Sequence, residues 1–152
     1  MEWFITEYND SYAESLAQMW NESDSVWPGG FTGGVPFTRE LILQWQHETR
    51  AIAVYLVIAD GRVVGYCELK EYPQEREAAY VELLGVHPAY HKQGFGRELL
   101  KKSVAKSIEQ GYKRLDLGTW AGNLRAVPLY KKTGFFWVPE TQVHMQNFLP
   151  LI

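Results

Sequence analysis

Ala13, Leu16, Ala17 and Trp20 recur at helical spacing, and Asn9, Asp10 and Ser11 ahead of them offer side chains to cap the open amides of a first turn. The pattern predicts an amphipathic helix. Thr38 predicts the cap of a second, short helix with Leu41, Ile42 and Trp45 on its inward face. Between them lies SDSVWPGGFTGGVPFT, whose four glycines and two prolines exclude regular structure, while Trp27, Phe31 and Phe37 make it a loop with something apolar to cover. The pattern then turns β-rich. AIAVYLVIADGRVVGYCELKEY reads as an antiparallel hairpin joined at Asp60-Gly61, a dipeptide suited to the backbone angles of a tight turn. A third strand follows in AAYVELLGVH. Arg97 to Gln110 reads as a helix with Leu100, Val104 and Ile108 inward and Gly111 as its C-cap. KRLDLGTW is the next strand, Asn123 caps a helix over residues 124–133 closed by Gly134, and GFFWV and VHMQNFL are the last strands. An antiparallel meander, a strand-helix-strand unit and a returning strand predict an α/β fold with a mixed central sheet and flanking helices.

A chain of 152 residues suits a single domain with its own core, and 46% hydrophobic with 22% charged residues argues against disorder. Cys67 is the only cysteine, so no internal disulfide forms, and the start MEWFITEYND lacks the basic and apolar stretches of a signal peptide. A cytoplasmic protein is expected. No apolar run approaches the roughly 18 residues of a membrane span. A net charge of -3 without a basic run argues against a nucleic-acid partner. The apolar end VHMQNFLPLI either docks on the sheet or leads into a longer chain of which this is the N-terminal part.

The chemistry concentrates in VHPAYHKQGFGRELL, Val86 to Leu100, where a strand passes through two closely spaced glycines into a helix. Unpaired amides at a helix N-terminus carry partial positive charge, and glycines let an anion approach them. GFGREL lacks the third glycine and the distant acidic residue of a dinucleotide fingerprint, and it lacks the Gly-Lys-Ser/Thr ending of a P-loop. A tight strand-to-helix turn is the plain alternative. Tyr130 lies seven positions after Asn123, so the two face roughly the same side of one helix about 10 Å apart along its axis.

LLGVHPAYHKQGFGRELL followed by NLRAVPLYKKTGF resembles the two signature segments of the GNAT superfamily of N-acetyltransferases, with motif matches from about Val81 to Phe135. The resemblance implies the GNAT fold, with splayed strands in its sheet, and transfer of an acetyl group from acetyl-CoA, without a metal, to an amine of a small molecule or peptide. It implies direct attack through a tetrahedral intermediate. By the same resemblance Leu84, Gly85 and Val86 offer strand backbone to the pantetheine arm. His91, Lys92, Gln93, Gly94, Phe95, Gly96 and Arg97 form the pyrophosphate loop, Asn123 contacts pantetheine, and Tyr130 protonates the departing thiolate. His91 departs from the family's usual Gln or Arg, although an imidazole can still face a phosphate. Trp20, Trp27, Phe31 and Phe37 lie where the family builds its acceptor wall, and Trp120 could reach the same cavity; a satellite core under the loop is the alternative. A homodimer is compatible with this reading, and a membrane partner is not expected.

An amine with a pKa near 10 must lose a proton before it attacks. Glu82, on the strand leading to the cofactor, is the first candidate base; Asp116 and an ordered water relay are the alternatives. Cys67 in GYCEL is expected to pack rather than react. A non-catalytic acyl-CoA sensor or scaffold is the rival function, and retention of Tyr130 argues against it.

Overall fold

The hairpin predicted at Asp60-Gly61 forms with both residues at positive φ, and it joins β2 (Ala53–Ala59) to β3 (Arg62–Glu71) in antiparallel register. The computed structural model describes residues 1–26, 30, 32–119, 126–139 and 143–149. Before the hairpin come β1 (Trp3–Glu7), α1 (Ala13–Ser23) and α2 (Arg39–Glu48). After it come β4 (Ala78–Val86), α3 (Phe95–Glu109), β5 (Arg114–Gly118), α4 (Val127–Lys132), β6 (Phe136–Trp137) and β7 (His144–Phe148). The strands form one mixed sheet in the order β1-β2-β3-β4-β5-β7-β6, parallel only between β4 and β5.

The caps form as their residue types dictate. Asn9 accepts from the Ser11 amide, which starts a short 3-10 turn ahead of α1, and the Thr38 hydroxyl accepts from the Leu41 amide at 3.2 Å to start α2. Leu16, Met19 and Trp20 of α1 and Ile42 of α2 then pack on one face of the sheet against Leu56, Ile58 and Tyr66. On the other face Leu99, Leu100 and Val104 of α3 and Tyr130 of α4 cover Cys67, Leu69, Val81, Leu115 and Leu117.

Two expectations need correction, and one strand was not foreseen. WFITE is a strand, β1, although its residues are mostly exposed and show little alternation; pairing with β2 along its whole length supplies what the pattern lacks. Leu41 is 40% exposed, and Gln46 turns inward in α2, where its side-chain amide donates to the Tyr66 hydroxyl at 3.0 Å. Ile108 is also 40% exposed, because α3 starts at the buried Phe95 and its inward face therefore runs through Leu99, Ser103 and Ser107 beside Leu100 and Val104. Small serines on that face let the helix lie close to the sheet, and the Ser103 hydroxyl meets the Cys67 sulfur at 3.1 Å. Ile108→Lys is accordingly expected to shift stability by no more than about 0.5 kcal/mol. Urea unfolding checks this: a loss of about 2 kcal/mol or more would return Ile108 to the core.

A bulge in β4 sets up the site. Leu69 faces Val81 and Glu68 faces Leu83, which leaves Glu82 as the extra residue. Val81 and Leu84 consequently both pack toward α3 and α4, while Leu83 joins the cluster beneath α1 and α2. A one-residue insertion thus reverses the facing of everything after it.

Candidate active site

Beyond the bulge the sheet opens. β4 pairs with β5 only from Ala78–Arg114 to Val81–Leu117. From Leu83 to Val86 the strand keeps β3 on one edge, and its other edge makes no strand pairing among the described residues. A strand edge with free amides and carbonyls accepts an extended partner rich in amide groups. Leu84, Gly85 and Val86, expected to offer such backbone, lie on this stretch.

At the end of β4 the loop turns into α3. Lys92 and Gly94 both adopt positive φ, 64° and 84°, and Gly94 is the N-cap, with no side chain bonded to the first-turn amides. The first amides of this 15-residue helix therefore have no side-chain cap, the condition for an anion site. A Cβ built on Gly94 would meet nothing within 4 Å, so the loop is open on that side. Gly96 differs: its Cβ would stand 3.2 Å from Leu129 of α4, which makes this glycine a close-packing residue. Phe95 turns its ring into the core against Trp3 and Tyr90 and offers the loop only its backbone. Lys92 and Arg97 make no ion pair among the described residues. His91 directs Nε2–H back to the Val86 carbonyl at 2.7 Å, so its imidazole fastens the loop to the end of β4. This is a structural use for the residue that departs from the usual Gln or Arg.

Tyr130 sits on α4 with its side chain packed against Phe135 and only 7% exposed. Its hydroxyl makes no hydrogen bond among the described residues, and burial pushes its pKa up to about 12. Cys67, fully buried nearby in the same cluster, has its thiol pushed up to about 12, again by burial. A thiol that hard to ionise is not a nucleophile at neutral pH.

On the opposite face, Phe37, Trp45, Glu68, Lys70, Glu82 and Leu83 enclose an open cavity of about 300 Å³. The bulge places Glu82 there, exposed. Phe37 stacks on Trp45 with centroids 6.1 Å apart, and Trp45 leans on Tyr66 at 5.3 Å. Asp116, the second candidate base, is fully buried, with Arg114 at 2.7 and 3.0 Å, His144 at 2.7 Å and Gln146 at 3.2 Å all donating to it. Four donors use the acceptor positions of a carboxylate and leave none for an incoming proton. Trp20 is core and not wall: it is buried against Tyr66, and a Cβ on Gly85 would lie 2.5 Å from its ring. Trp27, Phe31, Trp120 and Asn123 lie outside the described residues. Glu68 and Lys70 are additions to the expected site. The signal for Glu68 was a charged residue at an inward position of the otherwise apolar run Val63 to Leu69.

No helix among the described residues is long and apolar enough to cross a membrane. The chain is 39% identical over 79 residues to mycothiol acetyltransferase of Jonesia denitrificans, a match that takes in 52% of this chain and 25% of that protein. The chain thus spans about a quarter of the length of that relative. Ribosomal-protein-alanine N-acetyltransferase from Brucella melitensis shares the fold, with a TM-score of 0.78 and 19% identity over 96% of this chain and 99% of that one. So does YncA from Salmonella typhimurium, solved with acetyl-CoA, with a TM-score of 0.77 and 18% identity over 97% and 94% of the two chains. The sequence model of the acetyltransferase (GNAT) family matches residues 8–135, and the chain belongs to that family.

Proposed function

We propose that the protein is an N-acetyltransferase that moves the acetyl group of acetyl-CoA to an amine by direct attack through a tetrahedral intermediate. The observation that carries this reading is the edge of β4 that opens beyond Val81 and ends at the uncapped N-terminus of α3. These residues fit acetyl-CoA: the amides of the α3 first turn would hold its pyrophosphate, with Lys92 and Arg97 adding charge, and the backbone of Leu84 to Val86 would pair with its amide-rich arm. Bound there, it supplies an activated thioester. Membership of the GNAT family and the fold shared with a protein solved with acetyl-CoA support the same placement.

On this reading the hydroxyl of Tyr130, carried on a buried ring of α4, donates to the departing sulfur. Glu82 takes the proton from the amine, on the face that carries the aromatic cavity. The inert Cys67 favours direct transfer over a cysteine-bound intermediate. The test is thiol release from acetyl-CoA against a broad amine panel, read with calorimetric CoA binding. Release with at least one amine is expected. Tight CoA binding with no turnover on any amine would make the protein an acyl-CoA sensor, and absence of CoA binding would reject the site.

Glu82 is exposed, so water can relay part of its work. Glu82→Gln is therefore expected to lower kcat at neutral pH by about threefold to tenfold, less than the 10²- to 10⁴-fold typical of a positioned base. The deficit should shrink as pH rises toward the pKa of the amine, because the free base then needs no acceptor. A pH–rate profile parallel to that of the wild type would remove Glu82 from the proton path.

A further inference from the structure

We infer that the acceptor carries a second cationic group besides the reacting amine, and that Glu68 holds it on the floor of the cavity walled by Phe37 and Trp45. The inference rests on the transfer reading above, with attack at the open edge of β4. Glu68 is 1% exposed, yet no ion pair reaches it among the described residues. Its neighbours are hydroxyls: Thr49 donates to Oε1 at 2.6 Å, and the Tyr66 hydroxyl, kept protonated by burial and then by the Glu68 charge, lies close to it. Two hydroxyls leave part of a carboxylate's capacity of about four acceptor positions unused. A buried carboxylate is costly unless a cation meets it, and Asp116 in the same sheet has Arg114. Glu68 has the cavity instead.

The chemistry of that cavity suits an organic ammonium. The faces of Phe37 and Trp45 attract cations, and Tyr66 anchors Trp45, so the wall is fixed before anything binds. The register says which ammonium it is. Glu68 lies on β3 opposite Leu83, so the whole of β4 stands between it and the open edge where a nitrogen would attack. A cation at Glu68 is thus removed from the reacting nitrogen by at least one strand spacing, about 5 Å. One ammonium does not serve both places; a short diamine does. Lys70 lines the same cavity, and its flexible stem lets its charge stay in water at the rim. It defines the competing case, an acceptor with a carboxylate in place of the second amine.

The experiment titrates 1,4-diaminobutane, 1-aminobutane and 4-aminobutanoate into protein saturated with CoA, so that binding is read without turnover. The diamine is expected to bind at least about tenfold more tightly than the monoamine, about 1.4 kcal/mol, and the amino acid more weakly than either. Glu68→Gln keeps the shape and the Thr49 partner, and it should reduce the diamine preference to within about twofold while CoA affinity stays within about threefold. Equal binding of diamine and monoamine by the wild type overturns the inference, as does tighter binding of the amino acid or a preference that survives Glu68→Gln. Should that variant fail to fold, the wild-type comparison decides alone. A diamine preference without acetylation of any amine would sink the transfer reading and leave the cation site standing.

Discussion

Tyr130→Phe is expected to lower kcat by at least about tenfold while leaving the fold and the affinity for CoA near their original values. Phenylalanine keeps the ring and its contact with Phe135 and removes only a hydroxyl that makes no hydrogen bond among the described residues, so packing has little to lose. The chemistry has more. With its pKa pushed up to about 12 by burial, the hydroxyl is protonated throughout the working range. The same burial weakens it as an acid: full transfer to a thiolate whose pKa is near 8.5 is uphill by on the order of 5 kcal/mol. Tyr130 on this mechanism stabilises the developing negative charge on sulfur as a hydrogen-bond donor, and solvent delivers the last proton. The loss should therefore lie nearer 10-fold than the 10⁴-fold upper end for proton transfer by a matched acid, at roughly 1.4 to 3 kcal/mol of transition-state stabilisation. A second consequence is the absence of a pH break: ionisation of Tyr130 should leave the kcat profile flat up to about pH 11. Pre-steady-state acetyl transfer measures both. A variant with full kcat where chemistry limits the rate would remove Tyr130 from the mechanism.

The glycine loop, the hairpin turn and the cap of α2 were legible in the sequence because each is decided by the residues that form it. Gly94 supplies its own positive φ, and Thr38 its own cap oxygen. What was not legible depends on partners far away in the chain. The strand at Trp3–Glu7 exists because β2 accepts it, and nothing in its own alternation announces that. The bulge at Glu82 is a property of the β3–β4 register, so its effect on which residues share a face appears only when both strands are present. Asp116 was an alternative candidate base on a strand; Arg114, two residues away, and His144, on β7, both donate to it. His91 was read only through the phosphate loop, and its Nε2–H also donates to the Val86 carbonyl five residues back.

The two loop glycines should separate on mutation, although their spacing suggests one shared role. Gly94 has positive φ and open space around its Cβ position. Gly94→Val therefore carries the backbone cost of a left-handed branched residue, about 1 to 2 kcal/mol, and projects its side chain into the mouth of the anion site without touching the core. CoA affinity should fall by at least about tenfold, because the pyrophosphate can no longer close on the α3 amides, while a cooperative unfolding transition remains. Gly96→Val meets Leu129 first: the added methyls push the N-terminus of α3 away from α4. It should lose stability by about 1 to 3 kcal/mol as well as affinity. Calorimetric CoA binding beside thermal unfolding of both variants makes the comparison. Gly94→Val with undiminished CoA affinity would place the anion elsewhere, whereas the expected pattern, affinity lost in both and packing disturbed chiefly in Gly96→Val, assigns the first glycine to the ligand and the second to the contact that holds α3 against α4.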